Sequence, residues 1–121
     1  MMAAGETVRV LLVEDEPKLA FAVQTLLETS SNCELVGTAA EGTTAISMCA
    51  ELRPDVVILD VRLAELDGIS AAVEIRRVAP DTRIVIYSGD EASLQQANDA
   101  GFPNTLLKGA IADDLIELVD S

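Results

Sequence analysis

The chain has no histidine and no tryptophan, and its only aromatic residues are two phenylalanines and one tyrosine. Without histidine, Ser-His-Asp and Cys-His catalysis and most zinc sites are excluded. With so few rings, the core must be built from Val, Leu, Ile and Ala, in a sequence that is 50% hydrophobic. Basic residues are scarce too: 8 Lys and Arg stand against 21 Asp and Glu, a formal charge of −13. Nucleic-acid binding depends on Lys and Arg neutralising phosphates, and an anionic membrane surface repels such a chain, so neither partner is expected. The two cysteines, Cys33 and Cys49, lack CxxC spacing and read as reduced thiols. No basic segment followed by a long apolar one is present at the start, and no apolar run approaches the roughly 20 residues that span a bilayer. A soluble, cytoplasmic protein is the expectation.

What is there alternates between two patterns. Short, nearly continuous apolar runs occur at 8–13, 33–39, 55–61, 83–88 and 104–108. Rich in Val and Ile, they read as strands covered on both faces, hence a parallel sheet. Between them the apolar residues take helical spacing: Leu19, Ala22, Val23, Leu26 and Leu27, then Ala45, Ile46, Cys49 and Leu52. Ile69, Ala72, Val73 and Arg76 define a third helical face, Leu94, Ala97 and Ala100 a short fourth, and Ile111, Leu115, Ile116 and Val119 a fifth. Pro17 suits the first turn of a helix, Pro54 and Pro80 stop helices before strands, and Gly101 stands where a helix end needs positive φ. Five β and five α segments in alternation predict a doubly wound α/β domain over 7–120, preceded by a disordered extension at 1–6 and with no second domain.

In such a sheet, ligands bind at the carboxyl ends of the strands. The first strand ends in Glu14 and Asp15 and the third in Asp60. If those strands are neighbours, the acids share one crevice, where two carboxylates about 5 Å apart at an effective dielectric near 20 repel by about 3 kcal/mol. Protonating one acid or binding a cation relieves this. An all-oxygen ligand set with room for water fits Mg²⁺. The alternative, a solvated acidic loop, accounts for Glu16 and would suffice for an isolated Glu-Asp-Glu. The fourth strand, however, ends in Ser88 and the fifth in Lys108, and a buried lysine at a strand end needs an anionic partner.

With Glu14 and Asp15 in "LLVEDEP", Asp60 in "DVVILDVRLAELDG", Ser88 in "RIVIYSG" and Lys108 in "TLLKG", residues 7–120 resemble a receiver domain of two-component response regulators. The resemblance implies a flavodoxin-like (βα)5 fold with a parallel sheet of order 2-1-3-4-5. It implies that Asp60 accepts a phosphoryl group from a phosphohistidine on a sensor histidine kinase or a phosphotransfer protein, forming an acyl phosphate. Asp15, Asp60 and the backbone carbonyl of Arg62 would bind Mg²⁺, with Glu14 acting through water. Lys108 would pair with one phosphoryl oxygen and Ser88 move to hydrogen-bond another. The partner would dock on Pro17, Lys18, Leu19 and Ala22 together with Gly109 and Ala110. Such a domain is a switch rather than an enzyme, read by an output domain or effector not in this chain.

Several positions depart from the family pattern. Ala64 replaces the usual proline of the loop after the phosphoacceptor, Gly109 replaces the proline after the lysine, so a trans peptide is expected there, and Thr105 replaces an aromatic switch residue. Asn104 stands where glycine is frequent and is the next most tolerant residue for positive φ. These departures keep open a pseudo-receiver that binds partners without phosphorylation. A haloacid-dehalogenase-like phosphatase would carry a second aspartate at the position of Arg62. Arg62 and Asp90, each two residues beyond a site residue, would face each other across the site's entrance with opposite charges. Phe21 projects away from the core stripe of the first helix, either as a single exposed apolar residue or as a contact. Acids and no bases on the fourth helix oppose pairing through that face, so a monomer, or a weak dimer built elsewhere, is expected.

Overall fold

A computed structural model describes residues 7–30, 32–63 and 66–108. Their elements alternate as β1 (Val8–Val13), α1 (Pro17–Glu28), β2 (Cys33–Ala39), α2 (Gly42–Leu52), β3 (Val56–Asp60), α3 (Gly68–Val78), β4 (Arg83–Ser88), α4 (Glu91–Asp99) and β5 (Thr105–Leu107). All strand pairs are parallel, in the order β2-β1-β3-β4-β5. The expected fold class and strand order therefore hold. The helical pattern at 111–119, the loop residue Ala64, and Gly109 and Ala110 fall outside the described residues.

Alternation along the strands sorts the side chains into two layers. Leu11, Val13, Val57, Leu59, Ile84 and Ile86 face α2 and α3, sharing one cluster with Ala45, Cys49, Ala71, Ala72 and Ile75. Val10, Leu12, Val56, Ile58, Val85, Tyr87 and Leu106 face the other side, where Val23 and Leu27 of α1 pack. β3 is buried at all five positions because both layers close on it. Burial at this density is what offsets the chain entropy lost on folding, at about 25 cal/mol per Å² of apolar surface.

One helical face is rotated from expectation, and two others depart from it at a single residue. On α3 the buried residues are Gly68, Ala71, Ala72 and Ile75, whereas Val73 is 50% exposed and Arg76, also exposed, lays its guanidinium over the Phe102 ring. The phase of this helix is set at its start, where Gly68 is pressed against the end of β3 and its N–H donates to Val61 O at 2.7 Å. On α1, Ala20 rather than Ala22 packs against the core, and Ala22 is exposed. On α4, Ala97 is buried and Ala100, the C-cap, is exposed.

Pro17 occupies the first turn of α1, and Gly101, at φ 96°, turns the chain after α4 as its position implied. Asn104, though tolerant of positive φ, does not adopt it. The non-glycine residue with positive φ among those described is Arg53, at φ 46° after α2. Its carbonyl and that of Leu52 both accept from the Arg9 guanidinium at 3.0 Å, which holds the unfavourable turn from outside.

Candidate functional site

Register brings the site together before any side-chain contact does. Val13 pairs with Leu59, so Glu14 follows beside Asp60, and Asp60 in turn pairs with Tyr87. Tyr87 pairs with Leu106, two residues before Lys108. Because side chains alternate along a strand, Glu14, Asp60, Tyr87 and Lys108 all rise from the α1-facing side of the sheet at its carboxyl edge. Such an edge collects ligands because all the strands end there together.

The carboxylates converge as expected. One oxygen each from Glu14, Asp15 and Asp60 lies within 4.8 Å of the others. Glu14 and Asp60 are buried and Asp15 is exposed. Lys108 Nζ donates to Asp60 Oδ2 at 3.0 Å and lies 3.5 Å from Glu14 Oε1. Burial alone would lower the Lys108 pKa, but the hydrogen bond and charge of Asp60, with the charge of Glu14, outweigh it and hold the ammonium above its ordinary value. The other Asp60 oxygen, Oδ1, accepts from Arg62 N at 3.0 Å.

Glu14 is held as firmly. Its Oε2 accepts from Glu16 N at 3.0 Å, and its Oε1 accepts from the hydroxyl of Tyr87. Tyr87 is fully buried, and its ring also faces Lys108 Nζ, 5.2 Å from the centroid. Burial, followed by the hydrogen bond to Glu14 and the nearby carboxylate charges, pushes the phenol well above its usual pKa, so it stays a donor. Tyr87 was not among the residues singled out from sequence. In the run "RIVIYS" it reads as one more core residue, and only the pairing of Asp60 with Tyr87 reveals where its hydroxyl goes.

Ser88 closes β4 but does not line the open cleft beside Asp60, which is formed by Asp60, Arg62, Gly89, Asp90 and Lys108. Its buried hydroxyl oxygen accepts from Asp90 N at 3.2 Å. Across the mouth of that cleft, Arg62 Nη2 donates to Asp90 Oδ2 at 2.8 Å. This is a single hydrogen bond rather than a two-pronged clamp, because Asp90 also caps α4 by accepting from Ser93 N at 2.7 Å. Hydrogen bonds from the Ser93 N–H and hydroxyl, with the Arg62 charge adding to them, hold the Asp90 carboxyl below its usual range.

Gly68 is the second residue missed. A Cβ there would sit 2.2 Å from Asp60 O and 2.6 Å from Val61 Cα, so the backbone of α3 closes directly behind Asp60. Of the docking residues expected on α1, Pro17, Lys18 and Ala22 are exposed, while Leu19 is half-buried against the core. Phe21 beside them is 71% exposed. Among the described residues no helix is long and apolar enough to cross a membrane.

The donor set, three carboxylates and no nitrogen or sulfur, fits a hard divalent cation such as Mg²⁺. Three acids and one lysine leave a surplus of negative charge for such an ion to offset.

Known proteins resemble this chain in sequence and in fold. The family model for the response regulator receiver domain matches residues 10–120. The response regulator protein VraR of Staphylococcus aureus (strain Mu3) is 30% identical over 115 residues, covering 93% of this chain and 55% of VraR. The chain thus spans about half the length of the curated relatives it matches. Among solved structures, the response regulator domain of Thermotoga maritima CheB superposes with a TM-score of 0.86 at 25% identity, covering 95% of each chain. The receiver domain of the putative response regulator NarL from Mycobacterium tuberculosis gives a TM-score of 0.83 at 29% identity, covering 96% of this chain and 98% of that one. A LuxR-family two-component response regulator from Aurantimonas sp. SI85-9A1 gives 0.87 at 27% identity, covering 95% of this chain and 84% of that one.

Proposed function

This chain belongs to the response regulator receiver domain family of two-component signalling, and on that premise we propose that Asp60 is its phosphoacceptor. The observation that carries the assignment is the contact of Lys108 Nζ with Asp60 Oδ2 at 3.0 Å, beside two further carboxylates at the same sheet edge. The donor is a phosphohistidine on a sensor kinase or phosphotransfer protein. An Asp60 carboxylate oxygen attacks phosphorus, and the P–N bond to the donor imidazole breaks with its electron pair left on nitrogen. An acyl phosphate P–O bond has then formed. Water later cleaves that bond, releasing inorganic phosphate and restoring the carboxylate. The domain is therefore a switch with a self-limiting lifetime and not a conventional enzyme.

Lys108 meets the phosphoryl oxygens as it now meets Asp60, and Ser88 releases Asp90 N to donate to another of them. Mg²⁺, held by Asp15, Asp60 and the carbonyl of Arg62 with Glu14 through water, would supply charge neutralisation for the incoming group. The kinase docks on the start of α1, at the exposed Pro17, Lys18 and Ala22 and the half-buried Leu19, with Gly109 and Ala110 completing the surface. The switch spans residues 7–120 and acts in the cytoplasm, where Cys33 and Cys49 stay reduced. An output domain or effector outside these residues reads it, without direct contact to nucleic acid by this domain.

The test is intact-mass measurement after incubation with Mg²⁺ and acetyl phosphate. The parent should gain one phosphoryl group, Asp60→Asn should gain none while keeping the parent's circular dichroism, and chelation of Mg²⁺ should suppress the adduct. A parent that never gains the mass would favour the second reading, a pseudo-receiver, which the loss of the aromatic at Thr105 and of proline at Ala64 keeps alive.

A further inference from the structure

An ammonium with three N–H donors can meet two carboxylates at once, but Lys108 sits closer to one of its two buried acids than to the other. Lys108 Nζ is 3.0 Å from Asp60 and 3.5 Å from Glu14, whose side chain is 0% exposed. An ionised carboxylate without solvent pulls hard on any nearby cation. Left to Lys108 alone, Glu14 would compete on equal terms with Asp60. Its claim is reduced because Oε1 already accepts from the Tyr87 hydroxyl and Oε2 from Glu16 N. The Tyr87 ring, 5.2 Å from Nζ, adds a face on which the ammonium rests while it points toward Asp60.

We propose that Tyr87 is the positioning residue of this site: by satisfying Glu14 it reserves Lys108 for Asp60 and keeps Glu14 from moving into direct contact with a bound metal ion. The proposal rests on the reading of Asp60 as phosphoacceptor. Without the hydroxyl, Glu14 Oε1 draws Lys108 Nζ in from 3.5 Å to full hydrogen-bond distance, and the contact of Lys108 with Asp60 weakens.

The experiment compares the parent, Tyr87→Phe, Glu14→Gln and Tyr87→Phe/Glu14→Gln at saturating Mg²⁺, timing phosphoryl uptake from acetyl phosphate by intact mass. Tyr87→Phe should slow uptake by about tenfold or more, as expected for a displaced catalytic cation. Its Mg²⁺ affinity by calorimetry should stay at or above the parent's, since Asp60 is then less neutralised. Because Glu14 also meets Mg²⁺ through water, the double variant is read against Glu14→Gln: once the charge at position 14 is gone, losing the hydroxyl should slow uptake little further, because an uncharged side chain no longer attracts Lys108. A purely structural role for Tyr87 would show as lowered stability and an equal loss of rate in both backgrounds. Uptake by Tyr87→Phe at the parent's rate, or the same fold loss with and without Glu14→Gln, would overturn the proposal. A parent with no uptake at all would instead overturn the phosphoacceptor reading.

A second measurement needs no variant. Tyr87 is the only tyrosine and there is no tryptophan, so near-ultraviolet emission reports this hydroxyl alone. A hydrogen bond to a carboxylate quenches tyrosine emission, and the proposal requires the quench to persist through a Mg²⁺ titration that calorimetry shows to saturate. A rise in emission on saturation would mean that the metal ion pulls Glu14 away from Tyr87, and the positioning role would fall.

Discussion

Position 68 has room for hydrogen and nothing larger. The two nearest atoms to an added Cβ, Asp60 O and Val61 Cα, belong to backbone at the end of a five-residue buried strand, so neither can retreat as a flexible side chain would. Gly68→Ala should therefore cost about 1–3 kcal/mol, the usual range for forced overpacking. Because the displaced atoms carry Asp60, phosphoryl uptake should fall more than stability alone explains. Denaturant melts and acetyl phosphate uptake, measured side by side, check both halves; an uptake rate unchanged in a folded variant would sever Gly68 from the site. At this scale the sequence was legible wherever a residue's type was odd for its place. Glu14, Asp15, Asp60 and Lys108 end apolar runs in charge, and they stand out. Gly68 and Tyr87 do not, because glycine at a helix start and tyrosine in a strand are both ordinary, and their significance lies in a neighbour that only the fold supplies.

Between elements, the Arg62–Asp90 pair ties the loop after β3 to the first turn of α4 and crosses the mouth of the cleft beside Asp60. Water attacking an acyl phosphate on Asp60 in line with the departing oxygen must pass this mouth. Arg62→Ala and Asp90→Asn should each hasten phosphoryl decay, and the double variant should decay no faster than either single. Asparagine is chosen because it keeps the cap on Ser93 N while removing the charge. Decay rates in the singles equal to the parent, or effects that multiply independently, would show that the pair does not gate water. The spacing of the two residues announced this contact, since both sit two positions past a strand-end site residue. The helical faces were harder to read. In α3 an apolar residue at 73 fitted the heptad-like spacing, yet the helix is phased by Gly68 against β3, and that anchor turns Ile75 inward in place of Val73. Periodicity shows that a helix has a face; its neighbour decides which one.

For the molecule as a whole, a charge of −13 sets the terms of association. Helix α4 carries Glu91 and Asp99 and no Lys or Arg, so two copies meeting there would bring like charges together. Sedimentation at low salt should show a monomer with and without phosphoryl donor, and a phosphorylation-dependent dimer cross-linked through α4 would prove this wrong. The overall architecture was the most legible feature of all, because five short apolar runs, three of them rich in Val and Ile, separated by helical spacing leave few alternatives to a parallel sheet with both faces covered. The strand order also places β2 and β5 at the two rims of the sheet formed by the described residues. The latter is only three residues long. In β2, pairing skips from Leu35 to Gly37 opposite Val10 and Leu11, so Val36 forms a bulge, and the exposed Glu34 lies next to it. Short length, a bulge and a charge are each devices that deny a template to a stray strand. The two rims of the described sheet are thus blunted, which opposes strand-on-strand association of a sheet otherwise so apolar.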